Sequence, residues 1–221
     1  MILDLHPQIR IEKLTVGAEQ APLLVIDNFV AEPERLVRRA ASRNYTVFSR
    51  YYPGVRSEAP LAYQQLFAKL QPLLFDYFGL RGSGFRFAMC HYSLVTTPGG
   101  RLEFLQRIPH IDSVEPNGLA SVHYLFQGNL GGTAFYRHRK TGFESIDAAR
   151  RETYFQTLET EKASADSPEA AYINGDTPLF EQTASVDGVF NRLVLYRRNL
   201  LHSGSIPEDF TPYPDPRTGR L

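Results

Sequence analysis

The part of the sequence from residue 85 onward is divided by turn signals into short strand-like segments. Sequences rich in Gly, Pro, Asn and Asp recur at residues 97–100, 117–118, 128–132 and 187–188. The segments between them are rich in aromatic and β-branched residues, which favour pleated strands. They cover residues 85–95, 102–112, 119–126, 133–137, 183–186 and 191–196. Short strands joined by short turns pair in antiparallel fashion, so this pattern predicts a mainly β (α+β) fold.

Apolar residues at helical spacing predict three helices outside these strands. A buried strand at residues 22–30 leads into the first helix, which begins near Glu32-Pro33-Glu34 with proline and acids in its first turn. The second helix is expected from about Pro60 to Phe78, with Gly79 after its last turn. The third helix is expected at residues 145–161, where it interrupts the strands.

Two segments each have two interpretations. Residues 45–57 are aromatic and rich in turn formers, which is typical either of a surface loop packed by its own tyrosines or of a loop that lines a substrate cleft. Residues from about 144 to 178 form a helical and loop insertion. Such an insertion is either an ordinary surface excursion or a lid over the cleft.

Length and charge limit the domain count and the partners. The chain of 221 residues is 43% hydrophobic, which suits one domain over residues 1–221. Lys plus Arg and Asp plus Glu are equal at 24 each, without a long basic run. This balance argues against a nucleic-acid or membrane surface and favours a small-molecule or peptide substrate. No feature of the sequence indicates the oligomeric state.

The compartment is inferred from cysteine content and hydropathy. Cys90 is the only cysteine, so no internal disulfide requires an oxidising environment. The opening residues lack a basic region followed by a long apolar core, and no apolar run approaches the length of a membrane span. These features predict a cytoplasmic location.

The segment Pro109-His110-Ile111-Asp112 carries the functional signal. On an extended strand, residues two apart project from the same side, so His110 and Asp112 would form two-thirds of a facial metal site. His202, which follows the last strand, is the candidate third ligand. A triad of two histidines and one carboxylate leaves three positions open and suits non-haem Fe(II). Pro109 cannot donate to a ladder, so we expect a bulge or an edge there.

Five motifs in this order resemble the Fe(II)- and 2-oxoglutarate-dependent dioxygenases of the prolyl-hydroxylase type. They are the strand and helix start at residues 24–33, Pro109-His110-Ile111-Asp112, His123-Tyr124-Leu125, Gly131-Gly132-Thr133-Ala134-Phe135, and Arg192-Leu193-Val194-Leu195-Tyr196 leading to Leu201-His202-Ser203-Gly204. The resemblance covers most of the chain. It implies a double-stranded β-helix (a jelly roll, cupin-like) flanked by the N-terminal helices.

The resemblance also implies an activity and its cofactors. Fe(II) would bind at His110, Asp112 and His202, with 2-oxoglutarate and O2 as co-substrates. The reaction would hydroxylate a C–H bond of a small molecule or of an amino-acid or peptidyl side chain, with release of succinate and CO2. The family members that halogenate lack the carboxylate ligand, so Asp112 favours hydroxylation.

Tyr92, Tyr124 and Arg220 match the co-substrate residues of these dioxygenases. The guanidinium of Arg220 would pair with the far carboxylate of 2-oxoglutarate. Arg220 follows His202 by 18 residues, a longer gap than is usual in the family, and it is next to Leu221. We therefore expect Arg220 to lie on a frayed segment if Leu221 is the chain end. The other arginines that could take the role are Arg107, Arg197 and Arg217.

Other interpretations of the same residues remain open. The chain could be a non-catalytic jelly-roll protein that binds a metal or a ligand, because one fold hosts many functions. A cupin-type metal enzyme is a third possibility, although it would usually have more histidines in the first motif than His110. Tyr92 and Tyr124 could also be core aromatics, since tyrosine favours half-buried strands.

Overall fold

The computed structural model describes residues 1–221 as nine strands and three α-helices. The strands are β1 (Arg10–Val16), β2 (Ala21–Asp27), β3 (Gly54–Glu58), β4 (His91–Val95), β5 (Leu119–His123), β6 (Gly132–His138), β7 (Phe180–Asp187), β8 (Leu193–Arg197) and β9 (His202–Ser205). The helices are α1 (Pro33–Ala41), α2 (Ala62–Tyr77) and α3 (Arg151–Lys162). The fold is therefore mainly β with helices at its surfaces.

The strands form antiparallel sheets. One sheet has four strands in the order β1-β2-β8-β5, and another has three in the order β7-β6-β9. Strands β3 and β4 form a separate hairpin. The sheets do not join into a closed barrel.

Both faces of β2 are buried, and alternate residues belong to different cores. Leu24 and Ile26 pack with the two N-terminal helices, in a cluster that includes Leu36, Leu66, Leu70 and Leu74. Leu23 and Val25 point the other way and pack with Phe135 and Val186 of the three-stranded sheet. This alternation follows from the two-residue period of a strand, so the four-stranded sheet separates a helix-facing core from an inner core between the sheets.

The N-terminal helices lie where the sequence predicts them. Pro33 opens α1, a position at which the missing N–H costs nothing. Helix α2 places Leu66, Leu70 and Leu74 on one apolar stripe. Gly79 follows α2 with a φ of 59°, a left-handed conformation that glycine adopts without steric cost.

The third helix packs on the outer face of the three-stranded sheet. Tyr154 and Leu158 of α3 contact Ala134 and Tyr136 of β6 in a third cluster of buried side chains. The helix begins at Arg151, later than the predicted residue 145, because Asp147 accepts hydrogen bonds from the N–H groups of Ala149 and Arg150.

The prediction of a strand over residues 102–112 is wrong for most of that segment. Two short 3-10 turns occupy Gly99–Arg101 and Phe104–Gln106, and only His110 forms a β-bridge. The local reason is a capping box in which Glu103 and Gln106 satisfy each other's backbone groups.

Four further elements differ from the sequence predictions. Strands β1 and β9 lie in segments to which no strand was assigned, and β3 occupies the end of the predicted loop at residues 45–57. The predicted strand at residues 85–95 is reduced to β4. No helix of the structure is both long enough and apolar enough to cross a membrane.

Candidate metal centre

His110 and His202 are joined by their backbones. The N–H of each donates to the C=O of the other, at 2.9 and 3.0 Å. Two residues on, the Asp112 N–H donates to the C=O of Arg198 at 2.8 Å. The irregular segment before β5 is thus fixed against the start of β9, which brings together two parts of the chain that are far apart in sequence.

This pairing gathers the three predicted ligands. One ligand atom from each of His110, Asp112 and His202 lies within 4.8 Å of the others. The Asp112 carboxylate is 3.9 Å from Nε2 of His110 and 3.9 Å from Nε2 of His202. The two imidazole rings have centroids 4.4 Å apart. Ligand atoms that are all about 2 Å from one ion lie less than about 4 Å apart, so the three side chains must move slightly inward to bind a single ion.

A backbone hydrogen bond fixes the orientation of the His202 ring. Its Nδ1 donates to the backbone C=O of Leu200 at 2.8 Å, and its Nε2 faces Asp112. The side chain is almost completely buried. The Tyr196 ring packs against it with centroids 4.6 Å apart. Burial also raises the pKa of the Tyr196 hydroxyl, and the nearby Asp112 charge adds to this effect.

His110 lies on the open side of the cluster. About half of its side-chain surface remains accessible, although the ring is surrounded by protein on its other sides. Desolvation lowers the pKa of His110, and the neighbouring His202 acts in the same direction. Asp112 opposes them by favouring the imidazolium. The net result is a neutral imidazole at pH 7, the protonation state that coordinates metals.

Arg220 is fixed in the structure rather than frayed. Its C=O accepts a hydrogen bond from Val95 of β4, and that of Leu221 accepts one from Leu125. The guanidinium donates to the backbone C=O groups of Leu130 and Gly132 at 2.9 and 2.7 Å. No acidic side chain pairs with it, so its positive charge is uncompensated.

The position of Gly204 shows where Arg220 lies relative to the metal ligands. Gly204 and His202 are two apart on β9, so they share a face of the strand and lie roughly 7 Å from each other along it. A Cβ atom on Gly204 would lie 3.5 Å from Nη2 of Arg220. The Arg220 guanidinium therefore lies beside the position two residues after His202, on the same face of β9.

The two predicted tyrosines have different positions. Tyr124 is buried in the inner core and its hydroxyl bonds to that of Thr133 at 2.6 Å. Burial raises the pKa of Tyr124, and the Arg220 charge partly offsets this, which places the two groups near one another. Tyr92 belongs instead to the helix-facing core. It points away from the metal ligands, so the structure does not bring Tyr92 to the site.

The other arginines have structural roles elsewhere. Arg107 binds the backbone C=O groups of Leu102 and Pro168. Arg197 binds those of Phe78 and Pro116, and burial lowers its pKa. Arg217 is exposed and pairs with its neighbour Asp215. Of the four arginines that could bind the co-substrate, Arg220 is thus the one that faces the inner core.

Comparison with known proteins gives one result. A family of unknown function (DUF6445) matches residues 7–221 of the sequence. The chain belongs to this family. No curated protein and no solved structure matches this DUF6445 chain significantly.

The structure of this DUF6445 chain adds residues that the sequence did not single out. Tyr196 packs on His202, and Tyr52 and Tyr172 lie within electrostatic range of Arg220. Arg56 is near enough to His110 to lower its pKa. The loop at residues 45–57 is interpreted from the sequence as a surface loop or as a cleft lining, and Arg56 near its end acts electrostatically on His110. Tyr196 and Tyr172 carried no comparable signal, because their positions depend on which strand face is turned inward.

Proposed function

We propose that this protein is an Fe(II)- and 2-oxoglutarate-dependent oxygenase. Its reaction hydroxylates a C–H bond of a small molecule or of an amino-acid or peptidyl side chain. The observation that carries the proposal is the convergence of His110, Asp112 and His202 with an unpaired arginine, Arg220, one step along the strand. Two imidazoles and one carboxylate on one side of an ion suit Fe(II) and leave the opposite side open.

The space between His202 and Arg220 supports 2-oxoglutarate as the co-substrate. A five-carbon dicarboxylate spans a distance comparable to two residues of strand, which is roughly 7 Å. Gly204 supplies no side chain along this path. The keto-acid end would lie at the metal, and the far carboxylate would meet Arg220 in a partly dry environment, where a guanidinium–carboxylate pair is strong.

The protein residues have distinct tasks in this proposal. When bound, Fe(II) with 2-oxoglutarate and O2 supplies the oxidation, in which the C–H bond becomes C–OH and the co-substrate leaves as succinate and CO2. His110 and His202 would hold the ion through ring nitrogens, and Asp112 would hold it through its carboxylate. Tyr196 covers the inner side of His202 and keeps water away from it. Arg220 orients the co-substrate, with Tyr124 nearby.

We also propose that the two facing sheets are the halves of a double-stranded β-helix. The chain passes from β5 in the first sheet to β6 and β7 in the second, and then returns to β8 in the first and β9 in the second. Such alternation between two packed sheets is characteristic of jelly rolls. The lone, unpaired Cys90 agrees with the cytoplasm as the compartment.

An anaerobic titration of Fe(II) and then 2-oxoglutarate into the purified protein tests the proposal. Binding of the keto acid to iron is expected to produce a weak visible charge-transfer band. His110→Ala and Asp112→Ala should abolish it. His6→Ala and Asp209→Ala remove the same residue types from outside the cluster, so they should leave the band unchanged.

The alternative function is a metal- or ligand-binding protein without turnover. Metal binding that depends on the triad, without a band and without release of succinate at any substrate, would favour that alternative. Absence of metal binding, or binding unaffected by both triad variants, would rule out the oxygenase.

A further inference from the structure

Arg56 on β3 faces away from the helix-facing core. Arg56 is paired with Ser93 of β4 in the hairpin register, and Ser57 is paired with Tyr92. Tyr92 and Leu94 pack in the helix-facing core. Since side chains alternate along a strand, Arg56, His91 and Ser93 project from the opposite face of the hairpin.

The Arg56 guanidinium lacks an acidic partner. It lies over the Tyr52 ring at 4.2 Å from the centroid and near the Phe48 ring at 5.8 Å. Its one side-chain hydrogen bond is a weak contact from Nη1 to the sulfur of Met89 at 3.8 Å. Its Nε is buried without any partner. A buried donor of this kind costs free energy unless a ligand satisfies it, so it indicates an absent acceptor.

His91 presents a second unsatisfied nitrogen beside Arg56. Its Nδ1 is buried without a partner, and its ring lies 4.8 Å from that of Phe48. Burial and the Arg56 charge lower the pKa of His91, so the ring is neutral at pH 7 and retains one N–H donor. The nearest acid on this strand, Glu58, is exposed and forms no ion pair.

The site formed by Arg56 and His91 adjoins the proposed active site, but it is separate from the co-substrate position at Arg220. Arg56 acts electrostatically on His110, at the open side of the triad. Arg220 lies beside Gly204 on β9. Tyr52 lies within range of both arginines, and burial raises its pKa to about 12. Two separate cationic groups therefore border the same space.

Exposed apolar side chains lie on the segments that contact Arg56, and two of them, Phe48 and Met89, contact its guanidinium. Val47, Phe48, Tyr51 and Met89 are all exposed large hydrophobic residues. Exposed apolar side chains gathered beside a cationic group match a ligand that joins an anionic end to an apolar body.

We propose that Arg56, with His91 and Phe48, binds a carboxylate carried on an apolar or aromatic body, and that this molecule is the substrate. That this molecule is the substrate rests on the proposed oxygenase function. The carboxylate-binding site itself does not depend on that function. The planar guanidinium, held between two rings, offers its free N–H edge to the carboxylate. His91 donates a further hydrogen bond, and Phe48 and Met89 contact the apolar body.

Two probes that differ only in charge test this site. The titration of 3-phenylpropanoate and of neutral 3-phenylpropanamide into the metal-free protein is followed by calorimetry or by ligand-observed NMR. We expect the acid to bind at least tenfold more tightly than the amide. Arg56→Gln should remove this preference, and Phe48→Ala should weaken both probes severalfold. The exposed Arg81 provides a matched control, and Arg81→Gln should change neither affinity.

Several results would overturn the assignment. These are failure of the acid to bind the wild type, equal affinity for acid and amide, and an unchanged preference in Arg56→Gln. Loss of the preference in Arg220→Gln alone would place the anion in the co-substrate position and would also overturn it. Should Arg56→Gln not fold, Arg56→Lys keeps the charge but loses the planar N–H edge, so it should reduce the preference for the acid severalfold. An unchanged preference in Arg56→Lys together with unchanged affinities in Phe48→Ala would then overturn the assignment.

The two proposals can fail separately. Arg56→Gln should retain the Fe(II) and 2-oxoglutarate band, because it removes neither a metal ligand nor Arg220. A normal band with no Arg56-dependent probe binding would refute the carboxylate site alone. Arg56-dependent binding without any band would refute the oxygenase function and leave an anion site.

Discussion

The backbones of His110 and His202 exchange two hydrogen bonds, with N···O distances of 2.9 and 3.0 Å. The two residues are therefore held together by main-chain groups that do not depend on their side chains. Removing either imidazole leaves this bridge intact. The backbone positions of the two histidines are consequently fixed before a metal binds, which reduces the ordering cost of binding.

The first prediction concerns metal-dependent stability. At 100 times the dissociation constant, Fe(II) should raise the free energy of unfolding by about 2.7 kcal/mol. His202→Ala should lose this increase, while its metal-free stability should fall only by the cost of a small cavity. Anaerobic denaturant unfolding with and without Fe(II) measures both quantities. An equal metal-induced increase in His202→Ala would contradict a role for His202 as a ligand.

The second prediction uses Gly204 to separate co-substrate from metal binding. A Cβ at this position would lie 3.5 Å from Arg220 and 3.5 Å from Ile206, which is ordinary contact. Gly204→Ala should therefore fold normally and weaken 2-oxoglutarate severalfold, and the bulkier Gly204→Val should weaken it more than tenfold. Titration of 2-oxoglutarate into the Fe(II)-loaded protein gives the affinities.

The matched control for that series is Gly100→Ala. No atom lies within 4 Å of a Cβ built there, so the variant should match the wild type in every measurement. Unchanged 2-oxoglutarate affinity in Gly204→Val, with normal iron binding, would mean that the co-substrate does not pass along this face.

The third prediction concerns pH. His123 accepts from the Tyr63 hydroxyl at Nδ1, 2.7 Å away, and donates from Nε2 to Asn191 at 3.1 Å. Burial lowers its pKa to about 4, from an ordinary value of 6.5. As the pH falls from 6.5 towards 4, the unfolded chain takes up a proton at His123 that the folded protein does not. This contribution to stability is complete above pH 6.5 and decreases towards pH 4, by up to about 3 kcal/mol.

Urea unfolding at pH 7 and at pH 4.5 measures this effect. Other histidines, including His110, titrate in the same direction, so the comparison with His123→Gln isolates the contribution of His123. The variant should be less stable at pH 7 but lose less stability on acidification. Parallel losses in the wild type and the variant would show that His123 is not the group responsible.

The fourth prediction concerns the attachment of α3. His138 at the end of β6 is fully buried, and its Nε2 lies 2.7 Å from the Glu161 carboxylate on the last turn of α3. Glu161→Ala should destabilise the protein by about 2–3 kcal/mol, because it leaves a buried imidazole without its partner. Glu159→Ala removes an exposed glutamate from the same turn and should cost less than about 0.5 kcal/mol. Similar losses in the two variants, measured by denaturant unfolding, would contradict this role.

Local signals in the sequence were sufficient for some elements. Helices α1 and α2 were predicted because Pro33 and Gly79 mark their ends and the leucines of α2 repeat at helical spacing. Strands β5 to β8 were predicted because turn residues separate them, but β9 was not predicted. These features act within a few residues, so the sequence alone is enough to read them.

Elements that depend on distant partners could not be predicted in this way. Strand β1 is largely exposed and polar, and it is a strand because β2 pairs with it along its whole length. The segment before His110 reads as a strand, yet its backbone is satisfied by a capping box and by the residues around His202. Such pairing is decided by the rest of the fold.

The same distinction between local signals and distant partners applies to the candidate site. The sequence by itself determined which residue types were available: His110 and Asp112 two apart, a distant His202, and Arg220 beyond it. Only the tertiary structure decided that Tyr124 turns towards Arg220 while Tyr92 turns towards the helices, and that Arg56 joins the space near His110. Tyr92 and Leu94 form the more apolar face of β4, but this alternation does not show which part of the fold either face contacts. That choice is made by the packing of the helices against one side of the sheet, which buries the most apolar surface and leaves the opposite face to form the site.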